Sequence, residues 1–310
     1  MKIDNIEDLR VLVETARGGS LTAASRVLGV TPAAASAMLK RLEAQLGVRL
    51  FERSTRAMRL TDAGQTLLDY AVRALELLEE GEAQVTRDSR ALVGTLRVAA
   101  PSDLTRSLLL PWLDAFLAAH PGIHLALSVS DRVQDVLRDQ VDVALRYGEL
   151  RDGGKAGVNL GLVARLLHST RRVLCAAPAY LARHGTPQTP ADLLRHNCMT
   201  FHIAGKRYGT WRFGRQGHWT EIAVPGDRGA DDAAIAHQWA LAGAGITYKA
   251  ELDLWRDLAS GALVRLLPDW TAEEYPLFAV LPSNRFVPGR VRVFVDFMAA
   301  RLAAEMSAAG

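Results

Sequence analysis

Residues 20–47 read Ser20-Leu21-Thr22-Ala23-Ala24-Ser25-Arg26-Val27-Leu28-Gly29-Val30-Thr31-Pro32-Ala33-Ala34-Ala35-Ser36-Ala37-Met38-Leu39-Lys40-Arg41-Leu42-Glu43-Ala44-Gln45-Leu46-Gly47. Ser20 can cap a helix over 21–28, in which the small Ala23 and Ala24 allow close approach by a neighbour and which Gly29 ends. After the tight Gly29-Val30 turn, Thr31 is a good N-cap and Pro32 suits the first helical position. A further helix therefore runs to about Leu46 and stops at Gly47. Helix, short glycine turn and capped helix form a helix-turn-helix. Upstream, Ile6, Leu9, Leu12, Val13 and Ala16 recur at three and four residues, the spacing of an amphipathic helix, which Gly18-Gly19 ends.

Downstream, 48–53 and 57–60 read as two short strands around the polar, basic tip Ser54-Thr55-Arg56, which is a wing. A capped helix of ~15 residues is ~22 Å long and can lie in a major groove, while Arg53 and Arg56 reach phosphate or the minor groove. Charge agrees with this use. Residues 36–60 carry Lys40, Arg41, Arg49, Arg53, Arg56 and Arg59 against Glu43 and Glu52, an excess of four positive charges. Residues 61–90 carry Asp62, Asp69, Glu76, Glu79, Glu80, Glu82 and Asp88 against Arg73, Arg87 and Arg90, an excess of four negative ones. A polyanion would engage the first block and be repelled by the second.

Thr61 can cap the next helix, where Asp62 suits the dipole. Leu68, Ala71, Leu75, Leu78 and Val85 follow helical spacing to about Arg90, and ~30 residues of helix span ~45 Å. So long a stripe is expected to pair with a second copy of itself, which makes Leu68, Ala71, Leu75 and Leu78 the dimerisation candidates. Packing onto the C-terminal domain of the same chain is the rival reading.

The whole chain has 310 residues, enough for two or three domains; 49% are hydrophobic and 23% charged, ordinary globular usage that excludes wholesale disorder. The longest runs free of Asp, Glu, Lys and Arg, 115–130 and 233–248, fall short of the ~18–20 residues of a membrane helix. The N-terminus carries acids where a secretory signal would be apolar, so no membrane association and a cytoplasmic location are expected. Cys175 and Cys198 lack metal or redox spacing, and His196, Cys198 and His202 do not complete a tetrahedral set, so no metal or cofactor is expected. Gly243-Ala244-Gly245 is too short for a dinucleotide fingerprint, and no hydrolase, zincin or Walker pattern occurs. A catalytic role has no motif behind it.

From Gly94 strands and helices alternate. Strands are expected at 95–100, 123–129, 141–145, 172–175, 199–201, 210–213, 220–224, 246–248 and 277–281. Helices are expected at 104–119, 131–138, 178–183, 231–242 and 289–303. This is α/β texture with mainly parallel pairing. Two subdomains joined by crossovers near 162–167 and 266–270 would enclose a cleft, where strand ends and helix N-termini make a default ligand site.

The N-terminal region resembles the LysR-type transcriptional regulators. The matching residues are Ser20-Leu21-Thr22-Ala23-Ala24, Leu28-Gly29-Val30-Thr31, Ser36, Lys40-Arg41-Leu42-Glu43, Leu46-Gly47-Val48, Leu50-Phe51-Glu52-Arg53 and Leu60-Thr61-Asp62-Ala63-Gly64. The resemblance continues at Ser130-Asp131-Arg132, Val141-Asp142-Val143-Ala144-Leu145-Arg146-Tyr147-Gly148, Leu162-Val163-Ala164-Arg165, Ala242-Gly243-Ala244-Gly245-Ile246 and Asp296-Phe297, and so covers essentially the whole chain. It implies a multidomain protein. A winged helix-turn-helix over 1–60 and a linker helix over 61–92 precede an α/β, periplasmic-binding-protein-like effector domain over 93–310. Subdomain I of that domain is 93–164 with 269–310, and subdomain II is 165–268. The implied partners are double-stranded promoter DNA, a small-molecule effector, RNA polymerase and further copies of the chain in a homodimer or homotetramer.

The DNA-binding candidates are Thr31, Pro32, Ala33, Ser36, Ala37 and Lys40 on the helix and Arg53, Thr55 and Arg56 on the wing. The family usually has Gln after the cap and Arg, His or Gln after the helix serine, where this chain has Pro32 and Ala37. Neither can make a bidentate base contact, so Thr31, Ser36, thymine-methyl contacts from Ala33 or Ala37, the wing and DNA deformability are expected to carry more of the readout. Mapped by the same anchors, the effector candidates are Ser102, Asp103, Ser130, Arg146, Thr200, Phe201, His202 and Asp227. Hydroxyls and amides at helix starts suit a small carboxylate, which Asp103 and Asp227 would oppose unless Arg146 or a ligand donor offsets them. A solute-binding protein and a cytosolic enzyme using the same cleft are the alternatives.

Overall fold

The computed structural model describes residues 3–53, 58–85, 92–132, 141–148, 162–203, 206–282 and 287–307. The chain divides into two compact units, Met1–Leu92 and Val93–Gly310.

In the first unit the order is α1 (Ile6–Gly18), α2 (Leu21–Leu28), α3 (Pro32–Leu46), β1 (Phe51–Arg53), β2 (Met58–Leu60) and α4 (Asp62–Val85). The expected caps form. Ser20 Oγ accepts from Ala23 N at 3.1 Å and Thr31 Oγ1 from Ala34 N at 3.2 Å. Gly29 and Gly47 end their helices at φ +66° and +74°, the left-handed region that favours glycine. Val11, Leu12, Ala35, Leu39, Leu42, Leu50 and Phe51 form the shared core. α4 starts against β1 because Gly64 has no side chain: a Cβ there would lie 2.0 Å from the Leu50 carbonyl oxygen.

The stripe on α4 departs from expectation. Ala71 and Leu75 are buried in the core of their own unit, with Leu68 packed against it, because α1 lies across the first turns of α4. Leu78 is 49% exposed, as are Tyr70 at 69% and Leu77 at 40%. The face left open is therefore rotated towards Tyr70, Leu77 and Leu78. The last residues of the expected helix, 86–90, lie outside the described ones.

The second unit runs β3 (Gly94–Ala100), α5 (Ser102–Leu104), α6 (Leu110–Ala119), β4 (Ile123–Val129), β5 (Val143–Tyr147) and β6 (Leu162–His168). Then come β7 (Arg172–Ala176), α7 (Pro178–His184), β8 (Cys198–Ile203), β9 (Lys206–Arg207), β10 (Thr210–Arg215), β11 (His218–Ala223), β12 (Gly229–Ala230), α8 (Ala233–Leu241) and β13 (Ile246–Ala250). It closes with α9 (Glu251–Ser260), β14 (Val264–Arg265), β15 (Thr271–Ala272), β16 (Leu277–Pro282) and α10 (Gly289–Ser307).

Two lobes result. The first holds a sheet of order β4-β3-β5-β16-β6, the second a sheet of order β12-β8-β13-β7-β14 with a small sheet β11-β10-β15 beside it. Pairing is mixed rather than mainly parallel. β3 runs parallel to β4 and β5, but β16 enters from the other lobe and lies antiparallel to β5 and β6, and β7 lies antiparallel to β13.

Three sequence expectations change. Residues 162–168 are an edge strand of the first sheet, and Leu266 and Leu267 belong to the core of the second lobe, so neither segment is a crossover. The crossings are 169–171 and 273–276. They run side by side: Arg171 bridges Glu274, Arg172 N donates to Glu273 O at 2.8 Å and Tyr275 N to Thr170 O at 2.7 Å. The helix expected over 104–119 is broken by a π-helical turn, Thr105–Leu109. Pro111 explains it, since it has no N–H to give Ser107 O, which accepts instead from Arg256 Nη1 at 3.2 Å. Helix α9 follows β13 directly, where sequence reading placed no element. The helix expected over 131–138 falls almost entirely on 133–140, outside the described residues.

Candidate functional site

Along α3, Thr31, Pro32, Ala33, Ala37 and Lys40 are exposed and Ser36 is half-buried, while Ala35, Leu39 and Leu42 face the core. The helical candidates thus share the outward side of one rod. Two charges counted in the basic block are engaged within the unit instead. Arg41 is bound to Asp8 on α1, and Glu43 Oε1 accepts from Leu50 N at 2.8 Å and Phe51 N at 3.4 Å, tying α3 to the wing strand. The outward face is therefore small, weakly polar and charged through Lys40, a shape suited to close approach and methyl contacts in a groove. Thr55, Arg56 and the Arg53 side chain lie outside the described residues.

The lobes of the second unit enclose a cavity of about 160 Å³. The first lobe contributes Ala99, Ala100, Pro101, Asp103, Ser130, Asp131, Arg132, Ala144, Leu145, Arg146 and Tyr147. The second contributes Arg172, Phe201, Ala233, Lys249, Ala250 and Asp253, and Tyr275 comes from the second crossing. Of the eight effector candidates, Asp103, Ser130, Arg146 and Phe201 line this space.

Four candidates do not line it, and the reasons are specific. Ser102 Oγ is held between Asp131 Oδ2 and Asp232 Oδ1, both at 2.6 Å, so it fastens one lobe to the other. Thr200 is buried in its strand and accepts from Arg207 Nε at 3.1 Å, with His202 further along the same strand. Asp227 is on the surface, bound by Arg228 and by Asn197 Nδ2 at 3.0 Å. Those donors, the Arg228 hydrogen bond foremost, lower its pKa to about 2.

The cavity wall is electrostatically ordered. Asp103, 3% exposed, faces Lys249 Nζ at 2.5 Å and His237 Nδ1 at 2.9 Å. Burial would raise its pKa, but the charge of Lys249 and the His237 hydrogen bond outweigh burial and hold it low. His237 is also turned to Asp257 at 2.9 Å; burial opposes its charge, yet the Asp103 bond raises its pKa. The carboxylate that was expected to repel an anion is thus neutralised from the second lobe. Arg172, 3% exposed, is stacked between Tyr275 at 3.8 Å and Tyr208 at 4.3 Å from the ring centroids, with Glu273 at 3.8 Å. This fixes a guanidinium in the wall at low entropic cost.

Sequence reasoning missed Tyr147, Arg172, Lys249, Asp253 and Tyr275. Tyr147 was signalled by its place next to Arg146, and Arg172 by a charge opening an apolar strand. Lys249 and Asp253 sit at the β13–α9 junction, which gave no local signal.

Residues 6–65 match the family described as "Bacterial regulatory helix-turn-helix protein, lysR family" and residues 89–303 the "LysR substrate binding domain". Among relatives, the HTH-type transcriptional regulator CrgA of Neisseria meningitidis is 34% identical over 300 residues, covering 96% of this chain and 97% of that protein. The HTH-type transcriptional activator TtdR of Escherichia coli K12 is 31% identical over 295 residues, covering 95% and 92%. The solved structure of CrgA superposes with a TM-score of 0.60 at 32% identity, covering 97% of this chain and 99% of that one. The full-length virulence activator AphB of Vibrio cholerae gives 0.57 at 26% identity, covering 96% and 99%. The outward α3 face and the two-lobed cavity thus lie in the two regions that match, and the chain belongs to the LysR family of DNA-binding, effector-responsive transcriptional regulators.

Proposed function

We propose that the effector of this regulator is a small organic carboxylate seated between the lobes, and that its binding changes how paired α3 helices engage promoter DNA. The observation that carries this reading is the charge state of the cavity: Asp103 is already matched by Lys249, while Arg146 and the stacked Arg172 also line it. An incoming anion therefore meets arginine without facing an unmatched Asp103. Coupling to DNA requires different ligand affinity for two arrangements of the oligomer.

The open edge of α4 at Tyr70, Leu77 and Leu78 supplies the self-association surface of this proposal, in place of the stripe through Ala71 and Leu75. A regulatory rather than catalytic role, a cytoplasmic setting and RNA polymerase as a further partner complete it. The transcriptional activator named among the relatives favours the last of these. Among the described residues, no helix is long and apolar enough to cross a membrane. No cofactor is required.

The test is a thermal-shift screen of small organic acids, followed by binding of the full chain to its promoter DNA with and without each hit. Stabilising acids that alter DNA affinity or footprint support the reading. Stabilisation only by amines or neutral compounds would reject the carboxylate.

A further inference from the structure

Asp253, on the first turn of α9, is a cavity carboxyl without a counter-ion among the described residues. It is 6% exposed, and the Tyr147 hydroxyl donates to its Oδ1 at 2.6 Å. The charged and titratable groups around it come from every neighbouring element: Asp103 from α5, Arg146 and Tyr147 from β5, Arg172 from β7, His237 from α8, Lys249 from β13, and Tyr275. Lys249 is committed to Asp103 and to the Ala233 carbonyl, 2.7 Å away, and His237 to Asp103 and Asp257. Among the described residues no cation forms an ion pair with Asp253. A bare carboxylate so placed bears a heavy desolvation cost and faces Asp103; a carboxylic acid bears neither.

We propose that Asp253 meets the effector as a carboxylic acid, donating its proton in a hydrogen bond to an anionic oxygen of an organic acid, so that ligand and proton are taken up together. With Tyr147 occupying Oδ1, Oδ2 is the donor. A carboxylic acid kept neutral by its surroundings is a strong donor to an anion. Burial, aided by the charge of Asp103, raises the pKa of Asp253 to about 7, so the acid form is present near neutrality before any ligand arrives. An added anion stabilises that form further. This inference rests on the reading of the cavity as a carboxylate site.

The test uses the full chain with acetate, lactate and benzoate as probes and methylamine and benzylamine as cationic counterparts, read by thermal shift and calorimetry between about pH 6 and 9, where the acids are ionised. Carboxylate affinity should fall about tenfold per pH unit once pH exceeds the Asp253 pKa. In Asp253→Asn the amide keeps the Tyr147 bond and a donor, so binding persists and the slope disappears. In Tyr147→Phe the break moves to higher pH, because a bond that steadies the carboxylate is gone. Equal slopes in wild type and Asp253→Asn, affinity that rises with pH, or preference for the amines would overturn the proposal. If no carboxylate stabilises the protein at any pH, the organic-acid reading itself falls and takes this inference with it. Carboxylate binding with an unchanged slope in the variant removes only the role given to Asp253.

Discussion

Asp8 on α1 and Arg41 on α3 meet at two points: Nε donates to Oδ2 at 2.7 Å and Nη2 to Oδ1 at 2.5 Å, with Asp8 fully buried. A residue of the basic block thus sets the angle between two helices. Arg41→Ala leaves a buried carboxylate without its partner and should lower the melting temperature of the N-terminal unit. Arg41→Lys should recover only part of the loss, because an ammonium cannot reproduce the fork. Equal melting temperatures for wild type and Arg41→Ala would contradict the pairing.

Lys40 has a different fate, since it is exposed on the outward face of α3. Lys40→Ala should weaken binding to matched and scrambled DNA alike, and reduce the slope of log affinity against log salt by about one. Ser36→Ala should instead narrow the gap between matched and scrambled sites. Salt-dependent fluorescence anisotropy separates the two.

Asp253 links stability to pH. Its folded pKa, about 7, is above the ordinary 3.8, so the folded state holds a proton that the unfolded chain releases. Its contribution is most favourable below the unfolded value and is lost as pH rises through about 7. Asp253→Asn removes this dependence. At about pH 8 the variant should be more stable than wild type by up to a few kcal/mol, and the difference should vanish near about pH 4. Urea denaturation across that range measures it; a variant less stable at alkaline pH would count against the assignment.

Lys249 and Asp103 come from opposite lobes and are both nearly inaccessible. Lys249→Met leaves the buried Asp103 carboxylate to its His237 bond and should cost up to about 3–5 kcal/mol. The double variant Asp103→Asn with Lys249→Met should recover much of that, since it buries no charge. A double-mutant cycle without coupling would show that the pair does not fasten the lobes.

On α4, Leu78→Asp should disrupt self-association and leave the N-terminal unit folded, whereas Leu75→Asp should unfold that unit, because Leu75 is in its core and Leu78 is exposed. Analytical ultracentrifugation combined with circular dichroism distinguishes these outcomes.

The helix-turn-helix was legible because its signals are local: Ser20 and Thr31 cap, Gly29 and Gly47 turn, and Leu39 and Leu42 repeat within one helix. The α4 stripe was legible as a stripe but not as to its partner. Helical spacing says which side is apolar, not that α1 covers Ala71 and Leu75. The cavity was half legible for the same reason. Ser130 follows a strand whose end could be placed, Arg146 lies in β5 just past the strand end expected at 145, and Asp103 and Phe201 lie near such ends. Arg172, Lys249, Asp253 and Tyr275 converge only because the chain crosses between lobes at two points; neither crossing contains a glycine, and Pro276 at the end of the second stands at the entry to a strand, where it does not mark a change of lobe. Ser102 looked like a ligand group because a hydroxyl at a helix start suits both tasks; its contacts with Asp131 and Asp232 decide for the lobe junction.

Where the paired crossings enter the second lobe stands Arg172, held in an aromatic sandwich that includes Tyr275 of the second crossing, and both residues also border the cavity. Seat and joint are therefore one piece of furniture. A guest pressing on that guanidinium would press at the same time on the strands that join the halves, and no relay of intermediate residues would be needed between them.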